Sequence, residues 1–180
     1  MSTAEIELPA WSVVSPRRRA HIARVNELAL SWAEAMHVDA AERDAWTDAA
    51  RCHDALRDAG EAELRAIVPE LDWPAFLLHG PAAATRLARA GEHRADVLDA
   101  IFWHTVGSAQ WERTGRVLYM ADFLEPGRQF DRERRARLAA SVPEDFDEAF
   151  RQVVRMRLGE RIASGERLPA ETIALWESVR

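Results

Sequence analysis

At 180 residues, with 48% hydrophobic and 30% charged side chains, the chain has the size and balance of one globular domain, which excludes a disordered or fibrous protein. A formal net charge of −6 argues against binding a nucleic-acid polymer, which needs a broad basic surface to displace counterions. No apolar run approaches the ~20 residues that span a bilayer, and residues 1–10 lack the basic and apolar regions of a signal peptide. The one cysteine, Cys52, has no partner for an internal disulfide, so a cytoplasmic protein with no membrane role is expected. All 24 basic residues are arginine, which reads as a compositional bias. Gly and Pro are sparse and Ala, Leu, Arg and Glu abundant, a mixture that favours helix because these side chains lose little rotamer freedom there.

In chain order, Ser15 followed by Pro16 is a helix start, with the hydroxyl as N-cap and the proline where its missing N–H costs nothing. The apolar stripe of that helix runs Val25, Leu28, Trp32, Met36, and His21 lies on the same line one turn earlier. Asp39 with Glu42 predicts a capping box for a second helix, whose inward line is Trp46, Ala49, Ala50, His53, Leu56. Gly60 and Pro69 bracket a short helix, and Trp73-Pro74 begins a segment expected to break at His79-Gly80-Pro81. A helix from about Glu92 turns Val97, Ile101 and His104 inward and stops near Gly107. Another from about Trp111 carries Leu118, Ala121 and Asp122 and ends at Glu125-Pro126-Gly127. An arginine-rich helix after Asp131, a longer one from about Phe146 to Ile162, and a last one after Pro169 complete the chain. No period-2 run appears, so the expected fold class is all-α: residues 1–14 as an N-terminal extension and 15–180 as a single compact helical bundle.

The chemistry is suggested by where the His and Asp residues point. His21, His53 and His104 extend apolar stripes, and Asp54 and Asp122 sit beside such stripes. Burying an ionised carboxylate is costly unless a cation or several donors meet it. Imidazoles and carboxylates facing one interior point, without thiolates, form the ligand set of a hydrolytic metal site. Taken singly, each has a plainer reading: a lone His on an apolar face is more often a satisfied core residue, and Asp122 alone could be a solvated helix residue. The spacing of six such residues (His21, His53, Asp54, His79, His104, Asp122) is what points to metal. His37 and His93, in polar surroundings, read as surface residues, Cys52 as core packing, and residues 132–137 as a solvated face.

The stretches RRRAHIARV, RCHDALRDA, LLHGPAAA, AIFWHTVG and LYMADFLEPGRQF together resemble the YqeK family of HD-domain hydrolases, which cleave diadenosine tetraphosphate symmetrically. The likeness runs from about Arg17 to the last helix, and the run from AIFWHTVG to EPGRQF is its most specific part. The resemblance implies an HD-domain helical bundle holding two transition-metal ions, iron foremost, with Mn, Mg or Zn as alternatives. It implies that Asp54 bridges the ions, with His21, His53 and Asp122 on one and His79 and His104 on the other. A hydroxide between the metals would attack phosphorus and yield two ADP, with Asp54 and His53 at the catalytic centre. Arg57, Thr105 and Arg128 are the candidate substrate contacts, each with a bland alternative: a surface ion pair with Asp58 or Glu61, a helix-end cap, and a solvated loop arginine. The expected partner is a dinucleoside polyphosphate or another nucleotide, and a homodimer is left open. Two departures from the family stand out. Its usual Lys three residues after the HD pair is Arg57 here, and its usual Tyr before the fourth histidine is Trp103. Two further classes stay open: an HD-type phosphatase on nucleoside mono- or diphosphates, and a catalytically weak metal-holding module that binds a nucleotide or a protein.

Overall fold

The structure, a computed structural model, is described over residues 6–180; the first five residues of the expected extension lie outside that range. The described residues form nine α-helices and one 3-10 turn, with no strand. The helices are α1 (Pro16–Ala35), α2 (Ala40–Cys52), α3 (Glu61–Ile67), α4 (His79–Arg89), α5 (Ala95–Trp103), α6 (Arg113–Leu124), α7 (Arg132–Ser141), α8 (Phe146–Ala163) and α9 (Ala170–Val179), with the 3-10 turn at Ala75–Leu77.

The bundle is organised around α6. Ten of its twelve residues are buried, from Thr114 to Leu124, a pattern that requires cover on every side. That cover comes from α1, α2, α5, α7 and α8. The principal core joins Val25, Ala29 and Trp32 of α1 to Trp46 and Ala49 of α2, Val117 to Leu124 of α6, and Phe150 and Val153 of α8. A smaller cluster of Leu56, Leu64, Ile67, Val68, Leu78 and Ala82 fills the space under α3 and the start of α4. No helix among the described residues is long and apolar enough to cross a membrane.

Local chemistry explains where the helices begin. The Ser15 hydroxyl accepts from the Arg18 amide, and the Asp39 carboxylate accepts from the Glu42 amide at 2.8 Å. The expected capping box is only half made, because the Glu42 side chain pairs with Arg113 instead of reaching back. The expected break at His79-Gly80-Pro81 is a helix start: His79 opens α4, and Pro81 sits in the first turn, where no N–H is needed. Residues 6–14 lie along the turn that follows α2. Val13 donates to the Ala55 carbonyl at 2.8 Å and accepts from the Asp58 amide at 3.2 Å, bracing that turn from outside.

The arginine-rich α7 is not solvated throughout. Arg135 turns inward, 2% exposed, and donates to the carbonyls of Phe123 (2.5 Å), Glu125 (2.8 Å) and Arg128 (3.1 Å). The Phe123 carbonyl is among those that the C-terminus of α6 leaves without a helical partner, so one guanidinium caps that end and pins the loop beyond it. Its plane also lies over the Phe130 ring at 4.7 Å. Replacing Arg135 with Met keeps the length of the side chain but strands these carbonyls. Urea unfolding of metal-free R135M should show a loss of about 2–3 kcal/mol. A loss under about 0.5 kcal/mol, the range of an ordinary surface change, would show that the cap contributes little.

Candidate metal centre

Four of the six expected ligands stand at or just beyond helix ends. His53 is the C-cap of α2, and Asp54 follows it in a turn. His79 is the first residue of α4 and His104 the C-cap of α5. His21 lies in the second turn of α1, and Asp122 in the last turn of α6. All six are buried.

The structure brings these six together around the Asp54 carboxylate. Its Oδ1 lies 3.2 Å from His79 Nε2 and 3.5 Å from His104 Nε2. Its Oδ2 lies 3.5 Å from His53 Nε2 and 3.8 Å from His21 Nε2. His21 Nε2 is in turn 3.1 Å from Asp122 Oδ1. Two overlapping trios, His21-His53-Asp122 and His53-Asp54-His104, each place three ligand atoms within 4.8 Å of one another.

The proton positions follow from the partners of Nδ1. His53, His79 and His104 direct Nδ1 at the carbonyls of Ala50 (2.7 Å), Phe76 (3.0 Å) and Ile101 (2.7 Å). A carbonyl only accepts, so each Nδ1 carries hydrogen, and Nε2 is the nitrogen that each ring turns to the centre. With the rings neutral, as ligands are, His79 Nε2 and His104 Nε2 are two lone pairs 3.0 Å apart beside Oδ1 of Asp54. Such a cluster of acceptors repels itself unless a cation lies among them. On the other side, the Nε2 atoms of His21 and His53 are buried with no hydrogen-bond partner. A nitrogen-and-oxygen donor set of this kind fits divalent metal.

The electrostatics agree. Burial pushes the His53 imidazole down to about 4 and lowers that of His79, so both stay neutral, as ligands must. Burial works against ionisation of Asp54, yet its carboxyl lies well below the usual range, with the Arg18 guanidinium 2.6 Å away. Burial likewise opposes ionisation of Asp122, and Arg128, His21 and Arg157 overcome it. Both carboxylates are therefore anionic without metal, each leaning on an arginine: Arg18 on Asp54 and Arg128 on Asp122, both at 2.6 Å.

Close packing of α4 on α5 depends on a residue without a side chain. A Cβ on Gly80 would lie 2.8 Å from the Ile101 carbonyl and 3.0 Å from the His104 ring. The glycine lets His79 reach His104 while leaving the carbonyl that orients His104 in place.

The expected substrate contacts are disposed unevenly. Thr105 places Oγ1 3.2 Å from His104 Nε2 and 3.4 Å from His79 Nε2, with its carbonyl held by Arg161 at 2.8 Å. Arg57 is half-buried, and its side chain makes no ion pair among the described residues. Arg128, expected as a substrate contact just beyond a helix stop, places its guanidinium on both the carboxylate and, at 3.0 Å, the carbonyl of Asp122. It still lines a cleft of about 630 Å³ with Arg17, Arg18 and Arg24. A second cleft, of about 700 Å³, is lined by Trp73, Phe76, Leu168 and Arg161. His37 and His93 are exposed and apart from the centre, and burial raises the Cys52 thiol to about 11, in keeping with a packing role.

Reasoning from the sequence missed four charged neighbours: Arg18, Arg24, Arg157 and Glu125. Arg18 and Arg24 sit three residues either side of His21, and Glu125 three after Asp122, so each shares a helical face with a proposed ligand. Glu125, read as part of a helix stop, is 2% exposed. Arg157 reaches Asp122 Oδ2 at 3.4 Å from α8, and nothing in its local sequence signals that.

No family model matches the chain. It is 31% identical over 125 residues to the symmetrical bis(5'-nucleosyl)-tetraphosphatase of Bacillus subtilis (strain 168), an alignment spanning 65% of this chain and 66% of that relative. It is 28% identical over 137 residues to the protein of the same name from Halalkalibacterium halodurans, covering 72% of each. The counterpart from Staphylococcus aureus is 37% identical over 59 residues, 32% of this chain and 30% of that one. The fold matches the crystal structure of an HD superfamily hydrolase involved in NAD metabolism from Clostridium acetobutylicum, with a TM-score of 0.77 over 92% of this chain and 90% of that one at 24% identity. With an all-helical bundle, six buried His and Asp residues at one point and these relatives, the chain belongs to the HD-domain hydrolase family that includes the symmetrical bis(5'-nucleosyl)-tetraphosphatases.

Proposed function

We propose that this hydrolase cleaves diadenosine tetraphosphate symmetrically to two ADP, using two divalent ions, iron foremost, held by His21, His53 and Asp122 on one side and His79 and His104 on the other, with Asp54 between them. The observation that carries this reading is the division of the Asp54 carboxylate, whose Oδ2 faces His21 and His53 while Oδ1 faces His79 and His104. The names of the Bacillus and Halalkalibacterium relatives supply the substrate. Bound there, a metal pair supplies an acidified water and counter-charge for phosphoryl oxygens.

The chain's own residues do the rest. The Arg17, Arg18, Arg24 and Arg128 side chains converge on the polar cleft, where planar guanidiniums suit the paired oxygens of a polyphosphate. The Thr105 hydroxyl, beside His79 and His104, donates to a phosphoryl oxygen brought against the centre. Arg57 adds a further cation near His79. The second cleft, with Trp73 and the exposed Phe76, receives an adenine by stacking. A tetraphosphate with a base at each end spans both clefts and sets its middle at Asp54, the position that symmetrical cutting requires.

Chromatography of a reaction on diadenosine tetraphosphate should show ADP as the only nucleotide product. AMP with ATP in equal amounts would refute the symmetrical reading, and release of inorganic phosphate from mononucleotides alone would favour a phosphatase. Asp54→Ala should lose both bound metal and turnover; retention of full metal and rate by this variant would make the centre untenable. Arg128→Ala should lower kcat/KM by about 1.5–3 kcal/mol, the worth of a hydrogen bond to a charged group. Steady-state kinetics beside elemental analysis reads both effects, and wild-type kinetics in Arg128→Ala would remove its phosphate role.

A further inference from the structure

The four histidines of the centre are not held alike. His53 and His104 close helices and take acceptors, Ala50 and Ile101, from the last turns of those helices, where carbonyls lack helical partners; His79 takes Phe76 from the 3-10 turn. His21 stands inside α1, where nearby carbonyls are already engaged, and its Nδ1 acceptor is Glu125 Oε1, at 3.0 Å and 104 residues away. The other oxygen, Oε2, is fixed by Arg24 Nε at 2.5 Å and by the Gly127 amide at 2.6 Å, which leaves Oε1 aimed at the ring. The backbone of Glu125 is itself tied down, its carbonyl bound by Arg135 at 2.8 Å. The fit behind Gly127 is close: a Cβ there would collide with the Arg24 guanidinium.

We propose that Glu125 is a positioning residue, which holds hydrogen on His21 Nδ1 and so presents Nε2 to the ion shared with His53 and Asp122, while the ion on His79 and His104 does not depend on it. The proposal rests on the metal-centre reading but not on the identity of the nucleotide. Carboxylate partners of metal-bound histidines fix the tautomer and raise ligand basicity, and their loss typically weakens metal binding 10–100-fold. Glu125 is also a carboxylate where the Nδ1 partners of His79 and His104 are backbone carbonyls.

Two measurements test the role. In metal-free protein with 15N-labelled imidazoles, long-range 1H–15N spectra should show His21 with hydrogen on Nδ1, and Glu125→Ala should lose that pattern at His21 alone. Glu125→Gln, which keeps an acceptor for Nδ1 without the charge, should retain it. Calorimetric titration with Mn2+ should then show one of two sites weakened about 10–100-fold in Glu125→Ala, the other unchanged, and a smaller loss in Glu125→Gln. A wild-type pattern at His21 in Glu125→Ala would overturn the proposal, and so would equal weakening of both sites, the mark of a loop scaffold. If Glu125→Ala does not fold, the Glu125→Gln spectra and titration decide: wild-type Mn2+ binding there refutes the role. Wild-type protein that binds no metal at all would instead sink the metal centre itself, a result distinct from either.

Discussion

Asp54 is 3% exposed, its carboxylate facing the Nε2 atoms of four imidazoles. In an apolar interior such an arrangement would be expelled or neutralised. Here it is tolerated because the bundle places cations at its rim, with Arg18 against Asp54 and Arg128 and Arg157 against Asp122. The framework supplies the remainder: buried α6 carries Asp122 from the centre of the core, and α1, α2 and α5, packed against it, bring His21, His53 and His104 to the same point.

That delivery depends on interruption as much as on regularity. The end of α2 at Cys52 supplies the Ala50 carbonyl that sets the ring of His53. The end of α5 repeats the device with Ile101 and His104. Groups that a helix terminus would otherwise leave unpaired become the means of orienting ligands. The four rings are thereby held differently, three by nearby backbone carbonyls and His21 by a contact between chain segments far apart in sequence.

Much of this was legible in the sequence because the fold is made of local patterns. The stripe in α1, the caps at Ser15 and Asp39 and the stop at Glu125-Pro126-Gly127 report helices directly, and the inward His and Asp residues follow from their phase on those helices. What escaped were features set by tertiary contact. Arg135 sits in a run of charges that reads as solvated, and only the end of α6 above it explains its burial. Gly80-Pro81 reads as a breaker because local propensity cannot see that α4 begins there, with its proline in a turn that needs no donor. The side-chain partnership of Arg128 with Asp122, across six residues of chain, was not legible either.

The arginine-only composition has a consequence at the polar cleft. Arg17, Arg18, Arg24 and Arg128 line it, and no lysine exists anywhere in the chain to stand in for them. A guanidinium keeps its proton at any pH a cell reaches, whereas an ammonium can be neutralised by burial or by acylation. The positive charge that these side chains bring to the cleft, which they share with His21, Asp58 and Glu125, is therefore beyond the reach of alkalinity and of the acetylation that silences lysines elsewhere.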